Sequence, residues 1–232
     1  MDLSTYTLPA GRSLVLRTSK ADGTSRDGFQ WPAGTPDAPA PVEAPDWNPE
    51  PTCGRGLHGA LRGVGNGSLF SWADDALWQV VEVPMASIVD LGGKIKFPAG
   101  RVIYAGDRET ATALVQRVYP DAAVIGGTAT AGDDGTATAG DWGTATAGDR
   151  GTATAGDRGS ATAGDRGSAT AGDDGTATAG DRGTATAGEY GTLCIRYWGG
   201  ARYRLAVGYV GEDGIAPGVA YRVDPSGSFV PA

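Results

Sequence analysis

An eight-residue unit, Gly-Thr-Ala-Thr-Ala-Gly-Asp-x, runs eight times without interruption from Gly127 to Tyr190, and this period limits what the 232-residue chain can fold into. Ser160 and Ser168 replace the first Thr, and Glu189 replaces the last Asp. Thr-Ala-Thr-Ala alternates with period two, so a strand built from it carries Thr on one face and Ala on the other. Asp-x-Gly is turn chemistry, with Asp expected to bond its own backbone and Gly to supply a positive φ. A strand of about five residues spans roughly 16 Å, and three more residues reach back about 10 Å at most, so one octad cannot close a coil. Two octads can. The expected fold is a mainly β chain with a thin, two-sided β-solenoid of four 16-residue coils. An antiparallel meander of the same period would leave the Ala face without a second layer.

Such an interior accounts for the composition. The chain has 39 Gly but only 4 Phe and 2 Met, and 16 of those glycines lie in the octads. Alanine buries about one methyl each, so ladder hydrogen bonds, close packing and closed ends must supply the stability. In Gly191-Thr-Leu-Cys-Ile-Arg-Tyr-Trp198 the pattern continues with Leu193 and Ile195 at inward positions and Cys194 at an outward Thr position, which reads as a plug. A strand from Arg202 to Val210 and a segment from Ala220 to Val223 are expected to cover the last coil and block strand addition. The organisation is then residues 1–122 as an N-terminal α+β domain closing the other end, 123–190 as the solenoid, and 191–232 as a C-terminal β capping segment.

In the N-terminal part, Arg108 to Val118 reads as a helix with Asp107 as N-cap and Pro120 as stop. Trp78 to Val83, Ile88 to Leu91, Lys94 to Phe97 and Arg101 to Tyr104 read as short strands with mostly antiparallel connections. Half of the 14 prolines fall between Pro32 and Pro51, an extended stretch with polyproline character that leads into the glycine-rich loop Cys53-Gly-Arg-Gly-Leu-His-Gly59. His58 is the only histidine, a candidate acid–base residue with Glu82 and Asp90 as partners, against the plainer reading of a hydrogen-bonded structural histidine. No P-loop lysine, serine elbow, zinc cysteine pair or dinucleotide fingerprint is present, so no catalytic residue and no cofactor are assigned.

The net charge of −8, of which the octads contribute −6 from ten acidic residues and four arginines, disfavours sequence-independent nucleic-acid binding. No apolar run is long enough to cross a membrane, and the start MDLSTYTLPAGRSLVLR lacks the regions of a signal peptide. With only Cys53 and Cys194, far apart in sequence, a soluble cytoplasmic chain without a membrane partner is expected. The Asp row with its eight-residue spacing differs from the nine-residue calcium solenoid pattern, and four of its eight x positions are Arg, so no metal site is assigned.

Stacking at a rise of about 4.8 Å per coil predicts two Thr files on each broad face. One face carries Thr128, Thr130, Thr144, Thr146, Ser160, Thr162, Thr176 and Thr178. The other carries Thr136, Thr138, Thr152, Thr154, Ser168, Thr170, Thr184 and Thr186. Both faces are flat and almost uncharged, and exposed flat faces suit a homodimer.

In the phase Ala-Gly-Asp-x-Gly-Thr-Ala-Thr, the octads resemble the half-repeats of bacterial ice nucleation proteins, with Ala131, Gly132, Thr136 and Thr138 at the Ala, Gly, Thr and Thr positions of that motif. The resemblance covers residues 127–190. It implies a β-solenoid whose Thr-x-Thr rows order water, with ice or ordered water as the partner. The family's tyrosine ladder is absent, since only Trp142 and Tyr190 are aromatic in this stretch. The alternative is a non-catalytic scaffold or protein-binding module, including an acidic mimic of DNA, and an enzyme built on His58 stands third. The stretch from Cys53 to Gly59, with Trp78 to Val83 and Lys94 to Phe97, resembles an uncharacterised N-terminal domain of bacterial and phage repeat proteins, which implies no activity.

Overall fold

The computed structural model describes residues 6–25 and 28–232. The chain divides into two compact units, Met1–Ile125 and Gly126–Ala232. In the first, β1 (Arg12–Ser19), β2 (Ala40–Glu43), β3 (Leu57–Leu61), β4 (Leu77–Pro84), β5 (Val89–Asp90), β6 (Ile95–Phe97) and β7 (Ala99–Gly106) form one sheet in the order β2-β7-β4-β1-β3-β6-β5. Every pairing between these strands is antiparallel.

Helix α1 (Arg108–Val118) has the bounds its sequence predicts, and the Asp107 carboxylate accepts from the Thr110 N–H at 2.8 Å. Its Ala111, Leu114 and Val115 pack with Leu14, Leu16, Trp78, Val80 and Ile103 on one face of the sheet. Val15, Trp31, Val81, Val83, Phe97 and Val102 fill the other face. The central strands β1 and β4 are therefore covered on both sides, which is why they are apolar almost throughout.

Three readings of this unit change. Strand β1, at the centre of the sheet, is not among the expected strands. The proline-rich stretch is not wholly irregular, because Ala40–Glu43 pairs with β7 at the sheet edge, where proline is tolerated. The glycine-rich loop ends at Gly56, so His58 sits on strand β3 with Lys96 opposite.

The second unit is the solenoid. Strands β8 (Thr128–Thr130), β10 (Thr144–Ala147), β12 (Ser160–Ala163), β14 (Thr176–Ala179) and β16 (Thr192–Trp198) stack in parallel, and antiparallel β17 (Tyr203–Tyr209) ends their sheet. Strands β9 (Thr136–Thr138), β11 (Thr152–Thr154), β13 (Ser168–Ala171) and β15 (Thr184–Ala187) form the second parallel stack, finished by antiparallel β18 (Tyr221–Val223) and β19 (Phe229–Pro231). Each residue pairs with the one 16 positions on, as in Thr144↔Ser160 and Thr152↔Ser168. The strands hold three or four residues in the octads, shorter than the five expected.

Between the two sheets lies a core of alanine from Ala137 to Ala187, closed at one end by Leu193 and Ile195, with Val210, Ile215 and Tyr221 beyond. Leu193 continues the file of Ala177, and Ile195 that of Ala179, so the plug is in register with the alanines it covers.

The corners work differently from expectation. The x residue, not the glycine after it, takes the left-handed conformation: Asp134, Trp142, Arg150, Arg158, Arg166, Asp174, Arg182 and Tyr190 all have φ between 55° and 59°. None of the octad glycines has a positive φ. A bond such as Gly135 N–H to Gly132 C=O, 3.1 Å, closes each corner. Most of these glycines, Gly132 excepted, are there for space. A Cβ on Gly164 would lie 2.7 Å from the Asp149 nitrogen of the preceding coil, inside any real contact.

Candidate functional site

Alternation and 16-residue register place the Thr and Ser side chains in four straight files, two on each sheet. The first sheet carries Thr128, Thr130, Thr144, Thr146, Ser160, Thr162, Thr176 and Thr178, and the second carries Thr136, Thr138, Thr152, Thr154, Ser168, Thr170, Thr184 and Thr186. Toward the N-terminal end of the stack they are exposed, whereas Thr154, Thr170, Thr176, Thr178, Thr184 and Thr186 are half-buried. Ser168 and Thr184 hydroxyls lie 3.1 Å apart and share a hydrogen bond along their file. Cys194 extends the Thr178 file, half-buried, and burial pushes its thiol pKa up.

Repeated hydroxyl and methyl groups at about 4.8 Å along the stack and about 6.7 Å along a strand form a two-dimensional array. Its members are held by backbone ladders below them, such as Thr144 N–H to Gly127 C=O at 2.9 Å and Thr152 N–H to Gly135 C=O at 2.8 Å. The array has no charged member, so it presents water with weak, regularly spaced donors, acceptors and methyls.

The corners carry a feature the sequence concealed. Six of the seven repeat Asp residues, all but Asp181, reach out of their own turn, and the Oδ1 of each accepts the backbone N–H of the acidic residue 16 positions on. Asp133 bonds Asp149, Asp149 bonds Asp165 and Asp165 bonds Asp181 along one edge, at 2.8–3.0 Å. Asp141, Asp157 and Asp173 bond Asp157, Asp173 and Glu189 along the other, at 2.8–3.2 Å. The x residue adds a second link, as Arg150 N–H donates to Asp165 C=O at 2.9 Å. Peptide N–H groups therefore offset the repulsion that like charges stacked in a file exert on one another. The eight-residue recurrence of the carboxylates was the available signal, but only the folded coil shows that each meets an N–H two octads on.

Side chains at x form two outer columns. Arg150 pairs with Asp134, and its guanidinium hydrogen bonds hold that carboxyl below the usual range. On the opposite edge Arg158 lies over the Trp142 ring, 5.4 Å from its centroid, and pairs with Asp174 at 3.3 Å. Arg196 reaches from β16 to both oxygens of Asp165, at 2.6 and 2.7 Å.

His58 is not joined to either expected carboxylate. Glu82 is held by Tyr6, Arg12 and Arg101, and exposed Asp90 accepts from Gly92 N–H. Burial first, then Lys94, Lys96 and Arg17, lower the His58 pKa. Nearby, Lys94 Nζ lies 3.0 Å from Cys53 Sγ and lowers the pKa of that exposed thiol. Among the described residues, no group of three or more His, Cys, Asp or Glu is arranged to hold a metal ion, and no helix is long and apolar enough to cross a membrane.

Fold and surface together define a two-sided β-solenoid repeat protein with paired Thr/Ser files on both faces. Its repeats are related to those of ice nucleation proteins. The chain is 36% identical over 115 residues to an ice nucleation protein of Pseudomonas syringae, a match spanning 48% of this chain and 9% of the relative. It is 35% identical over 105 residues to that of Pseudomonas fluorescens, spanning 44% and 8%. With that of Xanthomonas campestris pv. translucens it shares 39% over 109 residues, spanning 46% and 7%. The chain thus covers only about a tenth of these relatives' length. No family model and no solved structure matches it.

Proposed function

We propose that the Thr/Ser files order water and bind ice, and that the protein acts through this surface without catalysis. The observation that carries the reading is the 16-residue register, which aligns hydroxyls and methyls into straight, uncharged files on both faces. The name shared by the relatives agrees with it. Rigidity matters as much as composition: an array held by backbone ladders and close alanine packing presents its water layer without first ordering itself. Four coils give an array about 19 Å tall. That size fits attachment to a small ice patch and gives little nucleation at high subzero temperature when the protein is isolated.

Thermal hysteresis and droplet-freezing assays on the wild type and on a variant with Lys at Thr144, Thr146 and Thr162 of one face and at Thr136, Thr138 and Thr152 of the other test this reading. The variant is expected to lose activity while keeping its strand circular dichroism. Equal behaviour of the two folded proteins refutes it and leaves the solenoid as a scaffold or protein-binding module.

A further inference from the structure

The two strands that end the solenoid sheets differ in how they are protected. β19 is three residues long and carries Pro231, a short edge of the kind that resists further pairing. β17 is seven residues long, free of Pro and Lys, and among the described residues pairs with β16 alone. The expected cap thus leaves an open edge. Bonds Gly199 N–H to Arg202 C=O and Val210 N–H to Gly191 C=O fix the phase of the β16–β17 ladder. In that phase Arg204, Ala206 and Gly208 exchange bonds with β16, and Tyr203, Leu205, Val207 and Tyr209 turn their backbone groups to the open side. Of these groups the Tyr209 C=O is taken by Glu212 N–H.

The same four residues are all about half exposed, Leu205 most at 59%. Trp198 lies beside Tyr203, ring centroids 5.1 Å apart, and Arg196 covers the Tyr203 ring at 4.7 Å. The strand therefore combines an open hydrogen-bonding edge with an apolar outer face.

We propose that β17 pairs antiparallel with β17 of a second copy of this chain, forming a two-fold dimer through the C-terminal ends of the solenoids. The strand is self-complementary. A two-fold axis at Ala206 sets Leu205 opposite Val207 and Tyr203 opposite Tyr209, all of them residues whose backbone groups face the open edge. The same operation brings exposed Arg202 of each copy beside the other's turn, which carries exposed Glu212 and Asp213. A different strand partner would have to supply both the alternating apolar residues and these opposite charges at its two ends. The dimer joins the two first sheets edge to edge and leaves the broad Thr/Ser faces open.

Sedimentation equilibrium of the full chain tests the pairing. The wild type is expected as a dimer, and a Leu205→Lys/Val207→Lys variant with unchanged circular dichroism as a monomer. Since the lysines act on folding as well, a second measurement uses Tyr203→Cys/Tyr209→Cys with Cys53→Ser and Cys194→Ser. Residues opposed across such a ladder are within disulfide reach, so mild oxidation is expected to give a covalent dimer. A monomeric wild type, a dimeric lysine variant, or oxidised cysteine protein without intermolecular disulfide each overturns the proposal.

Discussion

The Oδ1 of Asp149 accepts the backbone N–H of Asp165 at 2.8 Å, and the Oδ1 of Asp165 in turn accepts that of Asp181 at 2.8 Å. Each carboxylate thereby fastens its own coil to the next at the corner, where the strand ladder has ended. Asp165 also holds Arg196, so it joins the coils to the C-terminal hairpin. Replacing Asp165 with Ala is expected to cost about 1–2 kcal/mol, the upper part of the range being excluded because the pair with Arg196 is solvent-screened. Asp165→Asn keeps the acceptor and is expected to lose less than half as much. Urea unfolding of the two variants side by side reads this ordering, and a larger loss for Asn than for Ala would contradict it.

Gly164 lies where a side chain would meet that ladder. A Cβ there approaches the Asp149 nitrogen to 2.7 Å, and this neighbour is backbone, unable to swing aside. Gly164→Ala is expected to destabilise the solenoid by about 2 kcal/mol or more, although alanine ordinarily favours strand and helix over glycine. Thermal melting followed by strand circular dichroism measures it; an unchanged midpoint means the coils are not so closely stacked.

Arg166 carries the opposite opportunity. Its φ of 58° is a conformation arginine adopts reluctantly, and among the described residues it forms no ion pair. Asparagine tolerates this region better, so Arg166→Asn is expected to stabilise the chain by a few tenths to about 1 kcal/mol. The check is the same melt, read for an upward shift.

Acid should loosen the N-terminal unit through Asp107. The Tyr104 hydroxyl, donating at 2.6 Å, and the Thr110 N–H at 2.8 Å hold its carboxyl below the ordinary 3.8. A depressed folded pKa stabilises the protein fully above the unfolded value, and that contribution disappears as pH falls through the folded one. Stability measured from pH 6 down to about pH 2 is expected to fall less steeply for Asp107→Asn than for the wild type. Parallel curves would show that another group sets the acid limb.

Much of this architecture is legible in the amino-acid sequence because period two inside period eight leaves few ways to bury alanine. Leu193 and Ile195 can be recognised as a plug for the same reason: they are large residues at alanine's places. The corner conformation is hidden, since Arg166 and Trp142 are not residues that announce a positive φ, while the adjacent glycine is and does not use it. The Asp ladder is hidden because its partners are a coil apart. Strand β1, Arg-Ser-Leu-Val-Leu-Arg-Thr-Ser, lacks the alternation of a half-buried strand because both its faces are covered, and β3 is masked by the glycines around it. For the Thr files, position follows from the repeat. Their action on water is a matter for experiment.

The identical pairing of every coil with its neighbour 16 residues away also governs which length changes the gene can absorb. Losing or gaining two octads removes or adds one whole turn, leaving every later residue on its original side. A single octad shifts the count by half a turn. The repeats themselves would hardly register this, since both sheets carry the same residues, but Leu193, Ile195 and the hairpin after them would arrive on the other sheet and find a different edge to cover. Length variants of this protein are therefore expected to differ in steps of two octads, with the C-terminal segment acting as the parity check.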